Sequence, residues 1–205
     1  MLYYVAIMSK RGKFVVLYGI NNIGKSTQAK LLVSALQSAG KEAVYIKYPL
    51  YNMDPSRSII NEALRAGNPD KLSGRELQII FALNRTQFAP ILESYLSGGI
   101  NVVAEDYVGT SLAWGIVTGV DGLFLERLNS HLVREDEAFL LDGMPFANAE
   151  EKHVFEGNKE LTVKARDVHR KLATDNNWHI VDASQAIEAV HSKILEKLDK
   201  IILIR

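Results

Sequence analysis

A glycine-rich run, Gly19-Ile20-Asn21-Asn22-Ile23-Gly24-Lys25-Ser26-Thr27, has the form G-x-x-x-x-G-K-[ST] of a phosphate-binding loop. The two glycines let the backbone turn tightly, so that several N–H groups and the positive end of the next helix face one phosphate. Lys25 supplies a mobile cation for the β- and γ-phosphates, and the Ser26 hydroxyl suits a magnesium ion that bridges them. The run therefore predicts an ATP and Mg²⁺ site, with these binding residues: Gly19, Asn22, Ile23, Gly24, Lys25, Ser26 and Thr27.

The sequence on either side of this loop has the pattern that such a loop needs. The apolar run Phe14 to Tyr18 before it predicts a buried strand, and Ser26 to Ala39 after it predicts a helix that Gly40 ends. A strand, a loop and a helix in this order favour a functional loop over a chance match.

The composition limits the class of protein. With 205 residues, 47% hydrophobic and 23% charged, we expect a single globular domain over residues 1–205. Since the formal net charge is zero, a nucleic acid or an anionic membrane is not expected as a partner. The chain has no cysteine, which excludes disulfides, thiolate metal sites and cysteine nucleophiles and fits a cytoplasmic location.

The first 13 residues do not fit a targeting segment. The apolar stretch Leu2 to Met8 is too short to span a bilayer, and its basic residues lie on the wrong side for a secretory signal. We therefore expect residues 1–13 to be a disordered leader or an added edge element.

Short apolar runs alternate with longer helical patterns, which is typical of a parallel sheet with helices on both faces. The runs are continuous rather than alternating, as strands buried on both faces should be. The predicted fold class is therefore α/β, a three-layer α/β/α P-loop NTPase fold with five parallel strands: Phe14 to Tyr18, Ala43 to Lys47, Asn101 to Ala104, Ala138 to Leu141 and His179 to Val181.

A long helix is predicted between the second and third strands. Ser73 and Glu76 fit a capping box at its start, and Pro90 is expected to end or kink it. Asn84 lies on its otherwise apolar inward stripe, at helical spacing from Leu77 and Phe81. A last helix is predicted from Gln185 to Lys200.

The segment 142–157 is a candidate lid. It is irregular from Gly143 to Gly157 and carries Lys152 and His153, which would lie over a bound nucleotide. An ordinary surface loop would have the same composition.

The ends of the second and third strands carry a second set of polar and aromatic residues, where ligands bind in open parallel sheets. The quoted motifs are Thr27-Gln28 after the loop, Lys47-Tyr48-Pro49, Phe81-x-x-Asn84-Arg85, Glu105-Asp106-Tyr107 leading to Ser111-Leu112-Ala113-Trp114, and Asn177 to Ser184. With these motifs the chain resembles the thymidylate kinases of the nucleoside-monophosphate kinase group, from Phe14 to about Ile194.

The resemblance implies roles for individual positions. Phe81 matches an aromatic that stacks on thymine, and Arg85 matches an arginine that reaches the thymine carbonyl edge or a nearby phosphate. Lys47 stands where the family has an arginine for the acceptor phosphate, and Trp114 matches an aromatic under the deoxyribose. From the residues alone, Phe81 and Trp114 are equally well read as core aromatics, and a helical arginine is ordinarily solvated.

The full set of implied residues follows from the same motifs. The acceptor nucleotide would be bound by Asn21, Lys47, Tyr48, Phe81, Arg85, Tyr107, Thr110 and Trp114. Asp182 and Ala183 would lie on the ATP side, and Lys152 and His153 in the lid. Ser26 and Glu105 would hold the metal, and the catalytic residues would be Lys25, Glu105, Lys47 and Arg85.

Three positions depart from the family's pattern. Asp106 stands in place of an arginine that bridges the donor and acceptor phosphates, although Glu105 keeps the preceding carboxylate. Asn21 stands in place of an Asp that accepts a hydrogen bond from the 3′-hydroxyl. No arginine occurs between Arg134 and Arg166, so that Lys152 is the nearest cation for the lid.

The expected function is magnesium-dependent transfer of the γ-phosphoryl group of ATP to the 5′-phosphate of a deoxynucleoside monophosphate, with dTMP as the expected acceptor. Two alternatives remain open. A nucleoside or other small-metabolite kinase would explain the missing arginine, with Glu105 as a base toward a hydroxyl. A nucleotide-binding module without turnover would also keep the loop. The resemblance further implies a homodimer.

Overall fold

The computed structural model describes residues 11–146 and 159–198, and these residues form one five-stranded parallel sheet with helices on both faces. The strand order is β2-β3-β1-β4-β5, with β1 in the centre. The strands are β1 (Phe14–Tyr18), β2 (Ala43–Lys47), β3 (Asn101–Glu105), β4 (Glu137–Asp142) and β5 (His179–Asp182).

The predicted fold class and all five predicted strands are confirmed. The first two strands have the predicted bounds, and the other three run one residue further at one or both ends. All five residues of β1 and all five of β3 are buried, as their continuous apolar runs indicate. The extension of β3 by one residue puts Glu105 inside the sheet, where its backbone and side chain are both fixed.

The helices alternate with the strands along the chain. They are α1 (Lys25–Ser38), α2 (Ser56–Arg65), α3 (Gly74–Ser97), α4 (Val108–Val117), α5 (Gly122–Asn129), α6 (Lys159–Asp175) and α7 (Ile187–Leu198). The predicted helix after the glycine-rich loop is confirmed within one residue. The last helix begins two residues later than predicted and is described as far as Leu198.

The long helix α3 begins as predicted, and Pro90, which was expected to end or kink it, does not end it. Ser73 and Glu76 form the full capping box, with the two residues satisfying each other's backbone N–H. The helix continues through Pro90 to Ser97. A proline costs an interior hydrogen bond, and here packing compensates, because Leu92 and Leu96 beyond it are fully buried.

The two faces of the sheet bury separate apolar clusters. Alternate residues of β1 point to opposite faces, so that Val15 and Leu17 belong to one cluster and Phe14, Val16 and Tyr18 to the other. The first cluster includes residues of α1 and α7, and the second includes residues of α3. This arrangement is the predicted three-layer α/β/α architecture.

Some predicted segments lie outside the described residues. These are residues 1–10 of the leader, residues 147–157 of the lid with Lys152 and His153, and the last seven residues. Within the described ranges, no helix is long and apolar enough to cross a membrane.

His169 of α6 is a fully buried histidine that is paired on one side only. Its Nδ1 hydrogen-bonds the Ala165 carbonyl at 2.7 Å, and its Nε2 has no hydrogen-bond partner among the described residues. Burial lowers the pKa of His169 to about 4, against the weaker opposing effect of the Ala165 carbonyl, and Lys25 lowers the pKa further. The ring is therefore neutral in the folded protein at neutral pH.

The buried, neutral state of His169 predicts a specific loss of stability in acid. The folded pKa lies below the unfolded value of 6.5, so that the unfolded chain binds the extra proton and stability falls as the pH drops from 6.5 to 4. The loss attributable to His169 should reach about 3 kcal/mol at the low end. Urea unfolding at several pH values should show that His169→Leu flattens the pH dependence by this amount.

The matched control is His131→Leu, because His131 is exposed. This variant should keep the parent's pH dependence. Equal slopes for the parent and His169→Leu would contradict the prediction.

Candidate active site

A cleft of about 430 Å³ lies at the carboxyl ends of β1, β2 and β3. Its walls are the glycine-rich loop, the turn after β2, the inner face of α3 and the start of α4. The two sets of residues that sequence analysis singled out, on the loop and at the ends of the neighbouring strands, therefore share one cavity.

The glycine-rich loop wraps around the side chain of Lys25. Gly19 has φ +141°, and a Cβ there would lie 2.6 Å from the Leu141 carbonyl oxygen, so that only glycine fits. The Lys25 ammonium donates to the carbonyl oxygens of Gly19 and Ile20, each at 2.9 Å, and lies 3.6 Å from Asp106 Oδ1. This places a buried cation at the N-terminal end of α1.

Glu105 is a buried carboxylate on which three other side chains converge. The hydroxyls of Ser26 and Tyr45 donate to its Oε2 at 2.5 and 2.6 Å, and Lys47 Nζ lies 3.3 Å from its Oε1. Burial alone would raise the pKa of Glu105, but Lys25, the two hydroxyl hydrogen bonds and Lys47 together lower it below its usual range. Glu105 is therefore an anion with both oxygens engaged.

Asp106 differs from its neighbour in conformation and in the direction of its pKa shift. Its backbone is in the left-handed region, with φ +61°, and its Oδ1 accepts a hydrogen bond from Thr110 at 2.7 Å. Burial raises the pKa of Asp106, and the charge of Glu105 adds to this, while Lys25 and Thr110 oppose it. The cleft thus holds two adjacent carboxyl groups with opposite pKa shifts.

The donor set of Ser26 and Glu105 fits a magnesium ion. Both offer oxygen, the hard ligand that Mg²⁺ prefers, and they lie within hydrogen-bond distance of each other. No group of three His, Cys, Asp or Glu suited to a metal occurs among residues 11–146 and 159–198. A site completed by phosphate oxygens and water is the usual arrangement for Mg²⁺ beside a nucleotide.

Lys47 extends this charged cluster toward solvent at the end of β2. Its side chain is about half exposed, with 48% of its surface accessible. Burial lowers its pKa, but the attraction of Glu105 outweighs this, and the pKa lies above the usual value. Lys47 therefore carries a full positive charge at the entrance of the cleft.

Arg85 lies deep in the cleft with only neutral partners. Its Nη2 donates to Ser111 Oγ at 2.8 Å and to Asn129 Oδ1 at 2.9 Å, and its Nε donates to the same Asn129 oxygen at 3.2 Å. Burial lowers the pKa of Arg85 to about 10, which leaves it protonated at neutral pH. No carboxylate within the described parts of the chain forms an ion pair with it. A buried cation without a counter-ion favours an electron-rich ligand.

The aromatic side chains of the cleft differ in accessibility. Phe81 is half-buried and lines the cleft one turn before Arg85 on α3. Trp114 lines the cleft but is only 8% exposed and also belongs to the apolar cluster around β1. Trp114 is therefore both a core residue and a wall of the cleft, and its role under a deoxyribose stays a prediction.

Asn84 fastens the turn after β2 to the helix α3. Its Oδ1 accepts from the Leu50 N–H at 2.8 Å, and its Nδ2 donates to the Leu50 carbonyl at 3.0 Å and to Ser56 Oγ at 2.9 Å. Asn84 and Ser56 are both fully buried. The predicted polar residue on an apolar stripe thus fixes the turn that follows Lys47 and begins with Tyr48.

Most of the residues predicted from sequence meet in the cleft. Those that line it are Asn21, Asn22, Gly24, Lys25, Ser26, Thr27, Lys47, Tyr48, Phe81, Arg85, Glu105, Tyr107, Thr110 and Trp114. Gly19 and Ile23 are buried beneath the loop, and Asp182 and Ala183 lie at the end of β5, outside the cleft walls. Lys152 and His153 lie outside the described residues.

Four polar residues that hydrogen-bond around Glu105 and Arg85 were not predicted. Tyr45 precedes Lys47 by two positions on β2, and Gln78 precedes Phe81 by three on α3, so that strand and helix periodicity could have indicated both. Ser111 lies within a motif that was quoted for other reasons. Asn129 is at the end of α5 and has no sequence pattern that links it to Arg85.

Comparisons with known proteins agree on one family. The thymidylate kinase family model matches residues 17–194. A probable thymidylate kinase of Pyrococcus horikoshii is 33% identical over 197 residues, covering 90% of this chain and 95% of that protein. Human thymidylate kinase is 28% identical, covering 91% and 89%. The solved structure of thymidylate kinase from Candida albicans superimposes with a TM-score of 0.79 at 20% identity, covering 93% and 92%.

The Asn84 contacts predict a large cost for removing its side chain. Asn84→Ala would leave the N–H and carbonyl of Leu50 and the Ser56 hydroxyl without this partner, and we expect a loss of about 2 kcal/mol in the free energy of unfolding. Urea denaturation measures this loss. Asn61→Ala, on the surface of α2, is the control and should change stability by less than ~0.5 kcal/mol. A loss no larger than the control's would show that the turn is held by other contacts.

Proposed function

The chain belongs to the thymidylate kinase family, and from that premise we propose that it transfers the γ-phosphoryl group of ATP to the 5′-phosphate of dTMP, giving dTDP and ADP. One observation carries the proposal. The phosphate-binding loop and the pocket with Arg85, Phe81 and Trp114 open into the same cleft, so that a donor and an acceptor can meet within it.

The donor side would be formed by the loop after β1. Its backbone N–H groups and the start of α1 would bind the ATP phosphates, and Lys25 would move from the loop carbonyls to the phosphate oxygens. Asp182 and Ala183, at the end of β5, are proposed to contact ATP away from the cleft walls. We also propose that Lys152 and His153 belong to a lid that excludes water.

The acceptor side would be formed by β2, α3 and α4. Phe81 supplies a flat apolar surface for the base, and Trp114 a wall for the deoxyribose. Lys47 offers a charge at the entrance for the acceptor phosphate, and Arg85 offers donors deeper inside. Asn21 can accept from a 3′-hydroxyl through its amide oxygen.

Ser26 and Glu105 are proposed to hold Mg²⁺ directly or through water. The ion would neutralise charge on the phosphates of ATP. The residues themselves mainly position the two nucleotides, and no general base is needed because the acceptor phosphate is already an anion.

A second candidate function is supported by Asp106. This carboxyl group has a raised pKa and lies in the cleft beside Lys25, where it adds negative charge near the phosphates. An acceptor with a hydroxyl in place of a phosphate would tolerate that charge and could give its proton to Asp106. The lowered pKa of Glu105 and its engaged oxygens make it the poorer base of the two.

Acceptor-dependent ADP release separates these candidates. With ATP and Mg²⁺, we expect turnover with dTMP and none above background with thymidine, because Lys47 and Arg85 supply the charge that orients a phosphate. ADP release that depends on thymidine alone would support the second candidate. Tight ATP binding with no acceptor-dependent ADP would identify a binding module.

The variant Asp106→Asn makes the same assay sharper. It keeps an oxygen for Thr110 but removes the charge, so that turnover with dTMP should be unchanged or faster. If Asp106 is a base toward a hydroxyl, turnover with thymidine should instead fall by about 10²-fold or more.

We further propose that the protein is a cytoplasmic homodimer that packs through α3. Ile79, Leu83 and Ile91 are 42%, 38% and 42% exposed, and they follow each other at helical spacing on the outer face of this helix. Light scattering should give the mass of a dimer, and Leu83→Glu should convert it to a monomer. The control Leu31→Glu, on α1 and 36% exposed, should leave the dimer intact. A monomeric parent protein would refute this assembly.

A further inference from the structure

We propose that Tyr45 is a positioning residue for the metal site, because its hydroxyl holds the Glu105 carboxylate in place while the other groups around that carboxylate turn to the nucleotides and the metal. Tyr45 would thereby set how tightly the site binds a divalent cation. The inference rests on the proposed function, since it concerns the cation that accompanies ATP.

The register of the sheet places Tyr45 on the same face as Glu105. Tyr45 is level with Val103 of β3, and Glu105 follows Val103 by two residues. Since side chains two apart on a strand point to the same face, the Tyr45 ring lies diagonally across from Glu105. A long side chain is needed to span that diagonal, and the tyrosine hydroxyl ends 2.6 Å from Glu105 Oε2.

The Tyr45 ring is held from behind the cleft. It is half-buried and packs against the apolar cluster that includes residues of α1. Lys30 of α1 lies over the ring, with its Nζ 6.0 Å from the ring centre. Among the described residues, Glu105 lines the cleft and Tyr45 does not, so that a bound nucleotide would meet Glu105. A packed strand residue of this kind keeps its hydroxyl at a fixed point.

Glu105 needs such a contact because its side chain is long. Glutamate rotates about more bonds than aspartate does, and a buried carboxylate that moves loses the hydrogen bonds that compensate its burial. Ser26 and Tyr45 donate to the same oxygen, Oε2, at 2.5 and 2.6 Å. Two hydroxyls from different elements therefore hold this oxygen.

The other groups around Glu105 have a second task in the proposed reaction. Ser26 would offer its oxygen to the metal, Lys25 would move to the phosphates of ATP, and Lys47 would meet the acceptor phosphate. Tyr45 has no such task, because it lies behind the cleft wall. When the substrates bind, the Tyr45 hydroxyl is thus the contact that keeps Oε2 in its place.

The variant Tyr45→Phe tests the inference through metal binding, since it removes the hydroxyl and keeps the ring. Mn²⁺ serves as the probe, because it takes the same oxygen ligands as Mg²⁺ and electron paramagnetic resonance measures its free concentration. With ADP present, we expect Tyr45→Phe to raise the dissociation constant of Mn²⁺ by about ten-fold, the usual effect of removing a group that orients a metal ligand. The dissociation constant of ADP in EDTA should stay within about two-fold of the parent's, because the loop amides are unchanged.

Glu105→Asp gives an independent measurement. Its shorter side chain would withdraw the carboxylate from the Tyr45 hydroxyl. Adding Tyr45→Phe to Glu105→Asp should therefore change the Mn²⁺ dissociation constant by less than about two-fold further, whereas two unrelated sites would add their effects. The matched control is Tyr95→Phe on α3, outside the cleft walls, which should keep the parent's constants.

An unchanged or smaller Mn²⁺ dissociation constant in Tyr45→Phe would overturn the inference. Equal losses of Mn²⁺ and of metal-free ADP would also overturn it, as would additive effects with Glu105→Asp or a parent protein that binds no Mn²⁺ with ADP. Failure of the proposed function is a separate result, seen as the absence of dTMP-dependent ADP release from a parent protein whose Mn²⁺ affinity still depends on Tyr45.

Discussion

The Glu105 carboxylate is the point on which the charged half of the site depends. It is the last residue of β3, level with Leu17 of β1 and Lys47 of β2 in the sheet. A buried charge must be paired and hydrogen-bonded, and here the three partners come from two other elements: Ser26 from α1, and Tyr45 and Lys47 from β2. Satisfying this one carboxylate therefore brings the loop and the second strand to a common point.

Charge divides the cleft into two unlike halves. Around the loop, Lys25 and Lys47 face Glu105 and Asp106, so that cations and anions are already matched. On α3, Arg85 has only the neutral oxygens of Ser111 and Asn129. The first half can exchange these internal pairs for phosphates and a metal, whereas the second half needs acceptors from a ligand. The first half is the one proposed for phosphoryl transfer, and the second is the one proposed for binding the acceptor.

The parts of this structure that sequence predicts are those set by local patterns. Continuous apolar runs located all five strands, and Ser73 with Glu76 located the start of α3. Asn84 was recognisable because a polar residue on an apolar stripe needs a partner, although its partner Leu50 was not. Pro90 does not end α3, because burial on both sides of it outweighs the local cost of proline, and no local pattern reports that burial.

The remaining site residues required contacts between distant segments. Gln78, Ser111 and Asn129 come from three helices, and they are linked by the hydrogen bonds around Arg85. Residue type restricts each of them to a few hydrogen-bond patterns, but only the fold decides which groups meet. Helices α2, α4, α5 and α6 were not located in advance either.

Asp106 places a carboxyl group in the site at a position that main-chain hydrogen bonds hold fixed. Its N–H donates to the Leu17 carbonyl, and the carbonyl of Glu105 before it accepts from the Tyr48 N–H, so that main-chain bonds hold this point on both sides. The family resemblance implies an arginine here, and the exchange replaces a positive side chain by a carboxyl group at a fixed position. Because these main-chain hydrogen bonds fix the position, the charge of Asp106 must be compensated by side chains. Lys25 compensates it, since its Nζ lies 3.6 Å from Asp106 Oδ1. Lys47 and Arg85 are cations of the cleft that form no ion pair with Asp106 within the described residues. The positive charge that binds an acceptor phosphate in this protein would therefore come from Lys47 on β2 and Arg85 on α3, and less from the end of β3.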